Sequence, residues 1–165
     1  MIEARAPKYS LIERERRWLV DQSKRPDLDN LDYILIEDRY IRDTRMRLRR
    51  MTDSKTGQLS LKLTKKYECS DPLARPIVTA YLTEQEFEAF AKLDALPLAK
   101  KRYSVEGFSV DQFDGALDGL ELVEIERSDD QMLRDLHPPA WAAAEVSNDP
   151  RYQGGTLVIH GIPKD

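Results

Sequence analysis

Short segments in which polar and apolar residues alternate fill most of this chain, and this alternation constrains its fold more than any other feature. Segment 58–66 has leucines at every second position, with polar residues between them. In segment 44–51, Arg45, Arg47 and Arg49 alternate with methionine and leucine. Because successive strand residues point to opposite faces, one face of the sheet carries charge while the other packs. If the sheet closes into a barrel, the charged face lines the lumen.

Turn signals separate these segments and set the number of strands. We predict strands near 11–20, 33–42, 44–51, 58–66, 75–82, 99–105, 109–114 and 119–127, with a shorter one near 155–160. A capping box at Thr83 predicts one helix, and a second start signal at Ser128 predicts another, which ends by His137 before two prolines. Many strands and few helices favour an antiparallel sheet that curls or closes, with helices packed outside it.

Composition narrows the function classes. The length of 165 residues fits a single domain over residues 1–165, and the charged fraction of 34% is high. A net charge of −4 argues against a globally basic nucleic-acid binder. Cys69 is the single cysteine, which excludes a disulfide framework and a thiolate metal cluster. The first ten residues lack a signal-peptide core and no apolar run reaches membrane length, so we expect a cytoplasmic protein.

The first strand carries two carboxylates and a base on one face. Glu13, Glu15 and Arg17 occur at every second position. Carboxylates two residues apart lie about 7 Å apart along a strand, so both could converge on one hard cation, or each could serve a neighbouring one. Taken alone, this segment is better explained by a solvated edge strand with charges of both signs than by a metal site.

A second carboxylate pair occurs near the end of the predicted sheet. Glu124 and Glu126 share one strand face, with Val123 and Ile125 on the other. Glu121 lies on the apolar side and is the weaker candidate for a site. An exposed strand face remains the alternative interpretation of this pair.

Basic residues form a complementary set on other strands. Besides the three arginines of segment 44–51, Lys62, Lys100 and Arg102 lie on strands. Arginine suits a bidentate grip on phosphate oxygens, and lysine supplies a compact charge. Solvated faces and an RNA-binding patch remain alternatives, although the arginine-rich segment lacks the interleaved aromatics that base stacking needs. A polyanion bridged to carboxylates by Mg²⁺ or Mn²⁺ requires both signs in one cavity.

The order of these motifs resembles a known family. The motifs are the strand from Glu13 to Val20, Arg47-Leu48-Arg49, Leu61-Lys62, Lys100-Lys101-Arg102-Tyr103, Asp111-Gln112-Phe113, the strand from Leu122 to Glu126, Pro139-Ala140-Trp141, and the stretch from Glu145 to Tyr152. This ordered set spans about residues 12–157. It resembles the CYTH superfamily, the triphosphate tunnel metalloenzymes, whose first strand reads Glu-x-Glu-x-Lys.

The resemblance implies an α+β fold, an eight-stranded antiparallel closed β-barrel with a charged lumen and helices packed outside. Members of the family hydrolyse tripolyphosphate or thiamine triphosphate, cyclise ATP, or act on RNA triphosphate ends. Its implied roles are metal ligands for Mg²⁺ or Mn²⁺ at Glu13, Glu15, Glu124 and Glu126; phosphate contacts at Arg17, Arg45, Arg47, Arg49, Lys62, Arg75 and Arg102; and organisation of the attacking water at Lys100.

Two departures from the family pattern affect these expectations. Arg17 stands where lysine is usual, and its planar guanidinium group needs more room than an ammonium group. The family often shows Arg-x-Glu-x-Glu in the middle of the chain, whereas Arg75 is followed by Pro-Ile-Val-Thr. Losing both carboxylates should weaken or remove one metal position, or shift the choice of ligand.

The sequence therefore predicts metal-dependent hydrolysis of a small triphosphate, with inorganic tripolyphosphate slightly favoured. A non-catalytic module that binds polyphosphate or a nucleotide is the first alternative, and adenylate cyclase is the second. We expect a small-molecule triphosphate or polyphosphate as partner, and neither a membrane nor a nucleic acid. A homodimer is an option that the sequence leaves open.

Overall fold

The structure is a computed structural model that describes residues 6–164. Its strands are β1 (Leu11–Val20), β2 (Tyr33–Ile41), β3 (Met46–Asp53), β4 (Leu59–Lys66), β5 (Ala74–Tyr81), β6 (Ala95–Val105), β7 (Phe108–Phe113), β8 (Glu121–Glu126) and β9 (Ala142–Glu145). Its α-helices are α1 (Glu84–Ala91), α2 (Asp130–Arg134) and α3 (Gly154–His160).

Eight strands close into an antiparallel barrel. The hydrogen-bonded order is β5-β4-β3-β2-β6-β7-β8-β1, and β1 also pairs with β5, which completes the ring. The first part of β1 pairs with β5, and its last residues pair with β9, which extends the sheet beyond the ring. The expected eight-stranded closed barrel with helices outside is therefore confirmed.

The apolar strand faces point outward and pack under helices and loops. Leu48, Leu61 and Leu63 form one cluster with Phe87 of α1, as the alternation of segments 44–51 and 58–66 predicts. Trp18 belongs to a second cluster on the outer side of β1, β7 and β8. Because these outer cores supply the packing, the inner strand faces are free to carry charge.

The predicted strand near 155–160 is wrong, because this segment forms α3. Its run Thr-Leu-Val-Ile is rich in β-branched residues, which by propensity favour a strand. Two glycines precede the run, Gly161 ends the helix at φ +77°, and Leu157 is buried against the end of the barrel. Packing thus overrides propensity. The strand β9 was not predicted from the sequence.

Helix α3 sits against β2 so closely that a glycine is required. A Cβ added to Gly154 would lie 1.9 Å from the hydroxyl oxygen of Tyr40. Leu157 packs in one cluster with Leu98, Phe113 and other residues at one end of the barrel. The helix therefore covers part of one end of the lumen.

The two helices predicted from start signals are present. The side chain of Thr83 accepts a hydrogen bond from the amide of Glu86, whose side chain returns to the Thr83 amide, which is the predicted capping box. Asp129 caps α2, which ends at Arg134. Among residues 6–164, none of the helices is long and apolar enough to cross a membrane.

Candidate functional site

Four glutamates form one wall of the lumen, which we call the acidic wall: Glu13 and Glu15 of β1, and Glu124 and Glu126 of β8. Glu15 is opposite Glu126 in the β1–β8 pairing, and Arg17 is opposite Glu124. All four glutamates line the same cavity. The strand register thus brings together two carboxylate pairs that are more than a hundred residues apart in sequence.

Two bases are already bound within this wall. Lys66 Nζ donates to Glu13 Oε1 over 2.7 Å. The Arg17 guanidinium lies between two carboxylates, 2.6 Å from Glu15 Oε1 and 2.9 Å from Glu124 Oε1. It also donates to the carbonyl oxygen of Tyr152 over 2.8 Å. Arg17 is therefore a fixed part of the wall.

The carboxylates of the wall differ in how readily they ionise. Burial, together with the charges of Glu124 and Glu13, raises the pKa of Glu15. Burial and Glu13 raise the pKa of Glu126. Burial also opposes ionisation of Glu124, but Arg17, Lys100 and Arg102 outweigh it and hold that pKa far below its ordinary value.

Burial likewise disfavours the charged form of Glu13, but Lys66 reverses the balance and lowers its pKa. Crowded carboxylates that repel one another are a donor set suited to a hard divalent cation. The acidic wall therefore fits Mg²⁺ or Mn²⁺ in chemistry. Within residues 6–164, no three side chains of the acidic, histidine or cysteine type already converge on one point as metal ligands do.

Three other bases of the lumen, Arg49, Lys100 and Arg102, are held by buried aspartates. Asp38 accepts two hydrogen bonds from Arg49, both of 2.7 Å. Asp111 accepts two from Arg102, of 2.6 Å and 2.7 Å, and a third from Lys100. Burial alone would raise the pKa of Asp38, but Arg49 holds it below its ordinary value. These aspartates keep the bases charged and oriented toward the lumen.

Three other bases keep hydrogen-bonding capacity in reserve. Arg47 Nε is buried without a hydrogen-bond partner, and its nearest carboxylate oxygen, on Asp38, is 3.8 Å away. In the described part of the chain, Lys62 and Arg75 make no ion pair within 4.0 Å. Lys62 Nζ instead lies 5.1 Å from the centre of the Tyr81 ring. The lumen thus offers unused donors to an anion.

Lys100, the predicted water-organising residue, lies in the lumen and is buried. Burial lowers its pKa, and the Asp111 charge opposes that effect. Its ammonium group donates to Asp111 and lies 5.2 Å from the centre of the Phe113 ring. Arg102 bridges from the same aspartate to Glu124 Oε2 over 2.6 Å. Lys100 is therefore tied through one network to the acidic wall.

Two cavities that share several lining residues make up the lumen. The larger, of about 410 Å³, is lined by seven basic side chains and the four glutamates. The smaller, of about 280 Å³, opens toward Arg45, Arg75 and the start of α3. Arg45 pairs with Glu68 and is half exposed, so it lies at the mouth and not in the interior.

Sequence reasoning missed several residues of the site. Lys66 shares its strand face with Lys62, so the same alternation pointed to it. Asp111 belongs to the motif Asp111-Gln112-Phe113, but its residue type alone did not indicate a role. Asp38 lies within a predicted strand, but its neighbours on the same strand face are uncharged, so no charged pattern marked it. Glu121 faces away from the lumen and binds Arg25, in agreement with its weaker candidacy.

A closed eight-stranded barrel with acids and bases on its inner face is the fold that the resemblance to the triphosphate tunnel superfamily implies, and that fold is confirmed. No family model matches the sequence, and no curated protein matches it. Among solved structures, the chain is similar to the inorganic triphosphatase NE1496, with a TM-score of 0.57 and 23% identity over 93% of this chain and 98% of that one. A second crystal structure of NE1496 gives a TM-score of 0.56 and 25% identity over 89% of this chain and 97% of that one.

Proposed function

We propose that this protein hydrolyses a small triphosphate inside its barrel, with inorganic tripolyphosphate as the favoured substrate. The observation that carries the proposal is the composition of the lumen. Fixed bases, bases with unused donors and a wall of carboxylates line the same cavities. The similarity in fold to NE1496, an inorganic triphosphatase, supports the same substrate class.

The bases would bind and orient the triphosphate. Lys62 and Arg75 can take phosphate oxygens without breaking an ion pair, and Arg47 gives up only its long contact of 3.8 Å with Asp38. Arg49 and Arg102 are held in place by aspartates and contribute positive charge that needs no reorganisation when substrate binds. The lumen is therefore preorganised for a polyanion.

The acidic wall would hold the cofactor. Glu13, Glu15, Glu124 and Glu126 are the residues that would bind Mg²⁺ or Mn²⁺. When bound, such an ion supplies positive charge that polarises phosphoryl oxygens. Without it, the four carboxylates would repel an entering triphosphate, and the bases bound to them, Arg17, Lys66 and Arg102, would offset only part of that repulsion.

The reaction would be attack of water on a terminal phosphorus, in line with the bond that breaks. An oxygen–phosphorus bond forms from the water, and the bond from that phosphorus to the bridging oxygen breaks. Phosphate and diphosphate are released, and the protons of the water end on the products or in solvent. Lys100 would orient the water, because its ammonium group is fixed by Asp111 at the inner face.

The test is release of phosphate from tripolyphosphate, thiamine triphosphate and ATP with Mg²⁺ or Mn²⁺. We expect metal-dependent turnover, fastest with tripolyphosphate. No turnover on any of the three substrates contradicts the enzymatic proposal. Formation of cyclic AMP from ATP would instead identify a cyclase. A homodimer and a cytoplasmic location stay predictions.

One observation favours a second function, a module that binds polyphosphate without turnover. The lumen side of β5 carries Arg75, Ile77 and Thr79, and none of these supplies a carboxylate. Calorimetry with tripolyphosphate distinguishes the two functions: tight binding without phosphate release supports the module, whereas absence of binding excludes both.

A further inference from the structure

We propose that Arg17 acts as a permanent cation within the acidic wall, and that this wall consequently binds one divalent ion and not two. The inference rests on the metal-dependent function proposed above. It concerns the one residue of the first strand that departs from the Glu-x-Glu-x-Lys pattern. The side chain of Arg17 already supplies one positive centre within the wall, between Glu15 and Glu124.

The contacts of Arg17 place its charge between carboxylates of β1 and β8. Its Nη2 lies 2.6 Å from Glu15 Oε1 and its Nε lies 2.9 Å from Glu124 Oε1, so one guanidinium spans carboxylates from two neighbouring strands. Nη1 is anchored on the Tyr152 carbonyl. The side chain is 17% exposed, so water screens this charge only weakly.

A lysine at this position could not do the same. An ammonium group is a compact point charge on a flexible stem, whereas the planar fork of arginine reaches several acceptors in fixed directions. Metal ions of a two-metal site lie about 3.5–4 Å apart and share bridging ligands. A guanidinium seated between Glu15 and Glu124 therefore repels a second ion and occupies its ligands.

The rest of the lumen does not replace the ligands that Arg17 occupies. Lys66 pairs with Glu13, and the lumen face of β5 adds no carboxylate. Of the acidic wall, Glu126 is the member without an ion pair among residues 6–164. One ion position therefore remains, built on Glu126 and on the oxygens of Glu13 and Glu15 that Lys66 and Arg17 do not contact.

Titration of the protein with Mn²⁺ alone, followed by electron paramagnetic resonance, tests this inference. The variants are Arg17→Met, which removes the charge and keeps the length, and Lys62→Met as matched control. Lys62 is also a lumen cation, but it touches no carboxylate of the wall, so its loss changes the net charge without freeing a ligand.

We expect one Mn²⁺ per chain in the wild type and in Lys62→Met. We expect Arg17→Met to bind a second ion as an exchange-coupled pair, whereas a folded Arg17→Met that still binds a single ion contradicts the inference. Two Mn²⁺ in the wild type overturn the inference, and this holds even if Arg17→Met fails to fold. An unchanged titration of folded Arg17→Met also overturns it. No binding by any form removes the metal site itself, and with it the metal dependence of the proposed function.

Discussion

Two ion pairs between arginine and glutamate differ in their surroundings, although both glutamates lie on β8. One pair is outside the barrel and the other is in the lumen. Outside the barrel, Arg25 binds both oxygens of Glu121 over 2.6 Å and 2.9 Å, and the side-chain amide of Gln112 donates a further hydrogen bond to the same carboxylate. Inside, Glu124 is shared between Arg17 and Arg102, which in turn contact other acids. The outer pair has its hydrogen bonds satisfied and holds the loop after β1 against the barrel. The inner charges line a cavity, where a ligand can contact them.

The same contrast appears between two arginines of β3. Arg50 points outward, lies over the Phe87 ring and approaches Glu88 at 3.7 Å. Arg47 points inward, with Nε buried and without a hydrogen-bond partner. A buried donor that lacks a partner costs free energy, and Arg47, which lines both cavities of the lumen, would regain it from a ligand that supplies the acceptor.

The strongest test of this contrast compares Glu124→Gln with Glu121→Gln. We expect Glu124→Gln to lower kcat for triphosphate hydrolysis by at least about a hundredfold, because it removes a carboxylate of the acidic wall that holds both Arg17 and Arg102 in the lumen. Glu121→Gln should leave kcat unchanged in the folded protein. It should lower the free energy of unfolding by about 3 kcal/mol, because Arg25 keeps a buried charge without its partner.

Activity assays and denaturant unfolding on both variants check this prediction. Each variant serves as the control for the other, since both remove one negative charge from β8. If Glu121→Gln also lost activity while folded, or if Glu124→Gln kept full activity, the division between outer and inner pairs would be wrong.

A smaller effect is expected from the two arginines of β3. Arg47→Met should raise KM for tripolyphosphate about tenfold, equivalent to about 1.4 kcal/mol of binding free energy, with kcat nearly unchanged. Arg50→Met should leave both constants unchanged. Steady-state kinetics checks the pair, and equal KM values in the two variants would show that Arg47 does not contact the substrate.

How much of this arrangement could be predicted depends on whether the signal is local. Strand alternation sufficed for the barrel faces, because the two-residue period fixes which side chains enter the lumen. It could not show that Arg17 lies between Glu15 and Glu124, since that contact depends on the register of β1 against β8. The register comes from long-range pairing, which a single sequence does not reveal.

The error at residues 154–160 has the same physical origin. β-branched residues suggested a strand, but the Tyr40 hydroxyl packs closely against the backbone at Gly154, and Leu157 is buried at the end of the barrel. Both contacts join segments far apart in the chain. Local propensity is weak compared with such packing, so elements that close a barrel are harder to predict than elements that form its wall.

The smallest expected effect concerns the outer pair of Arg16 and Glu145, joined by two contacts of 2.9 Å. The hydrogen bond from Arg16 lowers the pKa of Glu145. Because the folded pKa lies below the unfolded one, the pair stabilises the protein above about pH 4.3, the ordinary glutamate value, and this stability is lost as the pH falls. The Glu145 side chain is 39% exposed, so solvent limits the effect to about 0.5 kcal/mol.

Glu145→Gln should therefore narrow the difference in unfolding free energy between pH 7 and pH 3 by that amount, as measured by denaturant unfolding at both values. Glu88→Gln removes the same charge from an outer pair at 3.7 Å and is the matched control. Kinetics at neutral pH should be unaffected in both, because neither residue faces the lumen. A loss of activity in Glu145→Gln would instead mean that this pair, through Arg16 on β1, helps to position the neighbouring inner residues Glu15 and Arg17, so that the outer and inner networks are coupled and not separate.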